Sequence, residues 1–245
     1  MSQAPPDPPK APPCAPQARQ TGEDPGIEHA FSLAGASLVA LGSGALWWPE
    51  HRLLCVSDLH LGKSVRLAKL GGSALPPYDS RETLSRLSDD IDRTGAAMVI
   101  CLGDSFDDLE SAAGLPDPEL RRISRLQAGR RWIWIEGNHD PGPVSLGGMH
   151  LGELTVGPLT FRHIADPAAS AEVSGHFHPK VHLRMRGHSL SRPAFLLDDR
   201  RLVLPAYGSF TGGLRSTDRS LTELMRPGAL ALLTGPTVLA VPMPR

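Results

Sequence analysis

The stretch Arg52-Leu53-Leu54-Cys55-Val56-Ser57-Asp58-Leu59-His60 is a continuous apolar run that stops on a carboxylate and an imidazole. Without the polar alternation of a half-exposed strand, such a run is what a central strand covered on both faces requires. Three more apolar runs end in a similar way. Ala96 to Leu102 leads into Gly103-Asp104, Arg131 to Glu136 into Gly137-Asn138-His139-Asp140, and Ala171 to Ser174 into Gly175-His176-Phe177-His178. Side chains at i and i+2 of an extended chain point the same way, so Asp58 and His60 are placed to share one cation, and His176 and His178 form a second such pair. Gly103 lets the backbone turn sharply, so that Asp104 projects from the carboxyl edge of the sheet.

Working outward, Asp79 to Arg93 has an acidic start, Leu84, Leu87 and Ile91 at helical spacing, and Gly95 just beyond, which predicts a helix. Pro118 to Gln127 predicts another. Strand and helix therefore alternate, and the sheet core should be largely parallel. Upstream, Ser37 to Leu41 and Ala45 to Trp48 read as strands. After Asn138 the helical signal fades, and strands are expected at Leu154 to Val156, Leu159 to Arg162, Val181 to Met185, Ala194 to Leu197, Arg201 to Leu204, Ala229 to Leu233 and Val238 to Val241. Two sheets packed face to face and flanked by helices fit this order.

Residues Met1 to Gly26 contain eight prolines and almost no large apolar side chains, so they are expected to form a disordered leader before a single domain over 27–245. The formal charge of -1 gives no global pull toward nucleic acid, so a basic binding surface has to be local. Four Lys among the 25 basic residues leave 21 Arg, whose planar fork suits phosphate. The three cysteines suggest no disulfide framework and a reducing cytoplasm. No secretory signal pattern and no run of about 18 apolar residues is present, so no membrane association is expected.

Taken singly, Asp-x-His and Gly-Asp are ordinary strand-end or turn features, and His-x-His is only somewhat more specific. Four such groups at the ends of four apolar runs, mixing carboxylate, amide and imidazole, are what a site for two divalent ions requires. The ordered set Asp-x-His, Gly-Asp, Gly-Asn-His-Asp, a further His and Gly-His-x-His resembles the calcineurin-like metallophosphoesterase superfamily over about residues 50 to 180. The resemblance implies an α/β (α+β) fold, a four-layer αββα sandwich of two mixed β-sheets flanked by helices. It implies that Asp58, His60 and His178 hold one metal, that Asn138, His176 and His163 hold the other, and that Asp104 bridges them. His139 resembles the catalytic histidine that assists the leaving oxygen. His163 is preferred to the nearby His150 because it closes the strand Leu159 to Phe161, while His51, His182 and His188 read as surface or structural.

The full second group, Gly103-Asp104-Ser105-Phe106-Asp107, is similar to that of SbcD-type repair nucleases. The runs Ser57 to Lys63, Pro76-Pro77-Tyr78-Asp79, Gly175 to Lys180 and Leu204 to Gly208, leading to Thr211-Gly212-Gly213, resemble the ligase-associated metallophosphoesterases of the DNA damage response, the PdeM endonucleases. That resemblance implies a binuclear phosphodiesterase acting on DNA in repair, with Mn2+ as the favoured ion and Fe, Zn or Mg as alternatives. It also implies association with DNA ligase or helicase repair proteins. Lys63, Arg66 and Lys180 are candidate phosphate contacts, with Arg184, Arg186 and Arg192 near Lys180. The rival chemistry is a phosphomonoesterase or a cyclic-nucleotide type of small-molecule phosphodiesterase. A non-catalytic interaction protein on the same fold would show broken ligand positions, and here each is filled.

Overall fold

The computed structural model describes residues 28–69, 78–142, 145–185 and 188–245. The expected leader and the Pro76-Pro77 pair lie outside them. The first sheet takes β1 (Glu28–Leu33), β2 (Ala36–Leu41), β3 (Leu46–Trp48), β4 (Leu53–Val56), β5 (Met98–Leu102), β6 (Arg131–Ile135) and β7 (Met149–Leu151) in chain order. Helices α1 (Lys63–Lys69), α2 (Asp79–Thr94), α3 (Leu109–Ala113) and α4 (Asp117–Gln127) fall between its strands. The second sheet is built from β8 (Glu153–Val156), β9 (Leu159–Arg162), β10 (Glu172–Ser174), β11 (Lys180–Met185), β12 (His188–Leu197), β13 (Arg201–Val203), β14 (Leu230–Leu233) and β15 (Leu239–Pro242), with α5 (Arg219–Leu224) before β14. Its order is β15-β14-β12-β13-β10-β9-β8, with β11 paired to β12.

Both sheets are mixed. Strands β4 to β7 run parallel and β1 to β4 antiparallel; in the second sheet β10 is parallel to β9 and β13 while the other pairs are antiparallel. The parallel core expected from alternation is found in β4 to β7, and three further parallel strands, β9, β10 and β13, lie inside the otherwise antiparallel second sheet.

The continuous apolar run of β4 is explained by its two covered faces. Leu53 and Cys55 point between the sheets, where they join Ile100, Ile133, Phe161, Val173, Phe195 and Leu232 in one core. Leu54 and Val56 point the other way, onto Leu84, Leu87 and Ile91 of α2 and Ile123 and Leu126 of α4. All four β4 side chains are fully buried, each contributing roughly 1.5–3 kcal/mol of transfer free energy. A third core covers the outer face of the second sheet, where Val181, Leu196 and Val203 meet Leu221 of α5. Helix, sheet, sheet and helix therefore stack as expected.

Several elements differ from the sequence expectation. Strand β1 is an edge strand with one half-exposed face, and its mixed EHAFSL pattern gives a weak period-two signal. The other edge strand of this sheet, β7, has only three residues. Helices α1, α3 and α5 are five to seven residues long, too short for helical periodicity to show. Helix α5 buries Leu221 alone and is capped by Asp218, which accepts from the Ser220 N–H; with this one short helix the second half is mostly β, as its fading helical signal implies.

Helix α2 also anchors the loop that follows β13. Its Asp90 Oδ2 accepts from the buried Tyr207 hydroxyl (2.8 Å), its Arg86 guanidinium donates to the Tyr207 carbonyl, and Thr83 Oγ1 accepts from the Ser209 N–H (3.0 Å). Tyr207→Phe should leave the Asp90 oxygen buried without its donor and lower unfolding free energy by roughly 1–3 kcal/mol. Urea denaturation measures this, and a midpoint equal to wild type contradicts the anchoring role.

Candidate metal centre

The chemistry-bearing loops gather where β4, β5 and β6 of the first sheet and β9 and β10 of the second sheet end. The first two loops are stitched as a continuation of the parallel pair β4–β5. Asp58 N–H donates to Gly103 O (3.2 Å), His60 N–H to Asp104 O (3.0 Å) and Leu61 N–H to Ser105 O (2.9 Å). From the far side, Tyr207 N–H and Gly208 N–H donate to Ser57 O (2.7 Å) and Asp58 O (3.1 Å). The second sheet joins through Asp58 Oδ2, which accepts from the His176 N–H (3.0 Å) and from Ser57 Oγ (2.6 Å).

The backbone here is not the extended chain that the i, i+2 argument assumed. Asp58, His60, Asp104, His176 and His178 all have φ between +43° and +70°. Asp and His tolerate this left-handed region better than most side chains, and each such residue costs on the order of 1 kcal/mol. The consequence differs for the two pairs. Asp58 and His60 still converge, whereas His176 and His178 separate into different groups.

In the first group, Asp58, His60 and His178 present ligand atoms to one another. The Nε2 atoms of His60 and His178 face each other at 3.4 Å, and Asp58 Oδ1 lies 3.1 Å from His178 Nε2. That oxygen is sealed from water and, among the described residues, has no partner besides this imidazole nitrogen, which does not meet it in regular hydrogen-bond geometry. Burial pushes the Asp58 carboxyl up, but His178, His163 and Ser57 beside it outweigh burial and hold it below its ordinary value. In the second group, His163 Nε2 lies 3.0 Å from Asn138 Oδ1, 3.3 Å from His176 Nδ1 and 3.3 Å from Asp104 Oδ2. Burial raises the Asp104 pKa, yet His163 and His139 bring it down to about 2. Burial alone would lower the His163 pKa, but Asp104 and Asp58 raise it above the histidine norm. An orphaned buried carboxylate oxygen facing paired imidazole nitrogens suits a cation by its donor chemistry, and both groups of residues fit divalent ions.

The histidines are oriented from behind. His60 Nδ1 lies 3.2 Å from Asp107 Oδ1, which directs its Nε2 lone pair toward His178. His163 Nδ1 donates to Leu102 O (3.0 Å), so its Nε2 faces the second group. His139 is a different case. Its N–H donates to Asp104 Oδ1 (2.9 Å) and its Nδ1 to Asp107 O (3.0 Å), which leaves Nε2 on the side of the ligand cluster, 4.0 Å from Asp104 Oδ2, on a side chain 39% exposed.

A family model of calcineurin-like phosphoesterases matches residues 51–201, more than half of the chain. The chain belongs to the calcineurin-like phosphoesterase family. Among solved structures it is similar to the Pseudomonas putida nuclease MPE, at 28% identity with a TM-score of 0.69, covering 87% of this chain and 100% of that one. That likeness is consistent with the PdeM-type resemblance of its motifs. A lower likeness, 12% identity and a TM-score of 0.39 over 78% of this chain and 99% of the other, is to Yfce, a phosphoesterase from E. coli. No curated protein matches the chain. As a member of this family the chain is a metal-dependent phosphoesterase.

The structure brings together every expected ligand: Asp58, His60 and His178 in one group, and Asp104, Asn138, His163 and His176 in the other. His150 instead stacks beside Trp134, His51 meets Trp48 edge to face, and His182 lies against Ser191. The candidate phosphate contacts are less free than expected. Arg66 is engaged by Asp107 (2.9 Å) and Asp108 (3.1 Å), and Lys180 Nζ donates to Thr211 O (2.9 Å). Lys63 opens α1, Arg192 donates to Thr234 O, and the side chain of Arg184 and all of Arg186 lie outside the described residues.

Two positioning carboxylates have no role in the sequence reading. Asp140 accepts from the N–H groups of Ser105, Phe106 and Gly137, tying the third motif to the second. Asp107 holds His60 with one oxygen and Arg66 with the other; burial raises its pKa, but His60 and Arg66 bring it to about 2. Their acidic character at the ends of two motifs was the available signal. Asp107→Asn should release the His60 tautomer and weaken metal binding in the first group by about 10- to 100-fold. Metal titration of the stripped protein measures it, and wild-type affinity in the variant contradicts the role.

Proposed function

We propose that this phosphoesterase is a phosphodiesterase that cuts DNA within strands, as a repair endonuclease using two divalent cations, Mn2+ first among them. The observation that supports the two-ion reading best is the sharing of one His-x-His motif between two adjacent carboxylate and imidazole groups. In this reading Asp58, His60 and His178 would hold one ion, Asn138, His163 and His176 would hold the other, and Asp104 would serve both. DNA as substrate is supported by the motif resemblance and by the likeness to the nuclease MPE along all of that chain.

When bound, the two cations supply Lewis-acid activation of water and neutralise charge on the phosphoryl oxygens. The chain's own residues position and protonate. His139 is fixed through its Nδ1–H on Asp107 O, which leaves Nε2, 4.0 Å from Asp104 Oδ2 on a partly exposed side chain, to hold a proton and pass it to the leaving oxygen. Asp104 Oδ1 accepts the His139 N–H and so sets the distance between that imidazole and the metal ligands. No side chain of the chain needs to act as nucleophile.

His139→Ala should keep its metal content while phosphodiester turnover falls by about 10²- to 10⁴-fold. Loss of both ions from the variant would make His139 a ligand. The wild-type protein should nick closed circular DNA at well under one enzyme per circle, with activity at limiting DNA falling steeply as monovalent salt rises. Intact circles together with rapid turnover of a monoester or cyclic nucleotide in the same buffer would replace the endonuclease reading with a small-substrate one.

A further inference from the structure

At the start of α2 and on the loop that follows β13, two large aromatic side chains are half exposed. Tyr78 is 50% exposed and Phe210 46% exposed, and their rings meet edge to face with centroids 6.4 Å apart. Phe210 has φ +60°, a backbone region that a bulky side chain rarely adopts, while its ring remains in water. Strain of this kind persists only where the surroundings impose it, and it clusters at ligand clamps.

The surroundings that impose it are the metal loops. Before Phe210, Gly208 N–H donates to Asp58 O (3.1 Å), and a Cβ on Gly208 would fall 2.2 Å from Leu59 O. After it, Leu214 N–H donates to Phe177 O (3.2 Å), and a Cβ on Gly213 would fall 2.1 Å from His178 O. Phe210 is therefore carried on a loop fixed at both ends to segments that bear ligands of the first group. Beneath it lies a cavity of about 440 Å³ whose charged lining is Arg86 and Lys180 against one carboxylate, Glu82. Arg86 donates to the Tyr207 carbonyl and lies 4.6 Å over the Tyr207 ring, and Lys180 spends one N–H on Thr211 O. Both retain donors for an anion.

We propose that Tyr78 and Phe210 form a wall on which a nucleobase next to the scissile phosphate stacks, with a neighbouring backbone phosphate received by Arg86 and Lys180 in the adjoining cavity. The inference rests on the polynucleotide reading of the metal centre. An aromatic face accepts any base, since every base has a π-face, and cations beside it track the backbone. A simple monoester held at the metals engages neither feature.

The test compares KM for a single-stranded oligodeoxynucleotide with KM for methyl p-nitrophenyl phosphate, which has no base, in each of several variants. Base stacking on one aromatic is worth a factor on the order of 5 to 100, so Phe210→Leu and Tyr78→Leu should raise the oligonucleotide-to-diester KM ratio by about that much. Phe210→Trp, which keeps the π-face, should hold the ratio within about twofold of wild type. Lys180→Gln should lower the salt slope of oligonucleotide binding by about one. An unchanged ratio in the leucine variants, or equal losses on both substrates, overturns the stacking wall while leaving the endonuclease reading in place. An unchanged salt slope in Lys180→Gln removes the phosphate contact. A wild-type protein that cleaves neither the oligonucleotide nor closed circular DNA overturns the polynucleotide reading and the wall together.

Discussion

The carboxylate of Asp58 is the knot on which the two sheets depend. It sits at the end of the most buried strand of the first sheet, and one oxygen accepts both the Ser57 hydroxyl and the His176 N–H from the second sheet. The other oxygen, among the described residues, has no hydrogen bond of regular geometry and faces His178. A buried carboxylate left half satisfied is costly, so this arrangement is stable only where positive charge completes it. The same group therefore registers one sheet against the other and creates the demand for a cation between them.

Close approach of the loops follows from that knot. Gly175 illustrates the constraint: a Cβ there would fall 1.8 Å from Ser57 Oγ and 2.7 Å from Asp58 Oδ2, so any side chain would push the second sheet off the carboxylate. Gly103 answers to a similar demand, since a Cβ would fall 2.2 Å from His163 Nδ1. The left-handed backbone at five candidate ligand positions belongs to the same compaction: it turns Asp58 and His60 inward from a strand end and sends His176 and His178 to separate groups. Behind these ligands Asp107 and Asp140 take up the N–H groups that would otherwise be unpaired.

Much of this was legible in the sequence because burial and ligand chemistry leave local marks. The run Leu53 to Val56 is apolar throughout since both its faces are covered, and Leu84, Leu87 and Ile91 keep helical spacing since only one face of α2 is. The candidate ligand residues stood out because they follow such runs. What escaped was set by contacts distant in sequence. The i, i+2 geometry failed as an argument because the loop backbone is dictated by Gly208 and Gly175 packing across the gap, which no local pattern records. Asp107 looked like a motif ending until His60 and Arg66 came to it, and α5 buries too little for its period to show.

The central claim is that two cations complete this carboxylate and imidazole cage, and counting and locating them tests it most directly. Crystals of the protein loaded with Mn2+ should show two anomalous scattering peaks per chain, one among Asp58, His60 and His178 and one among Asp104, Asn138, His163 and His176. A single peak, or peaks away from these side chains, would contradict the account.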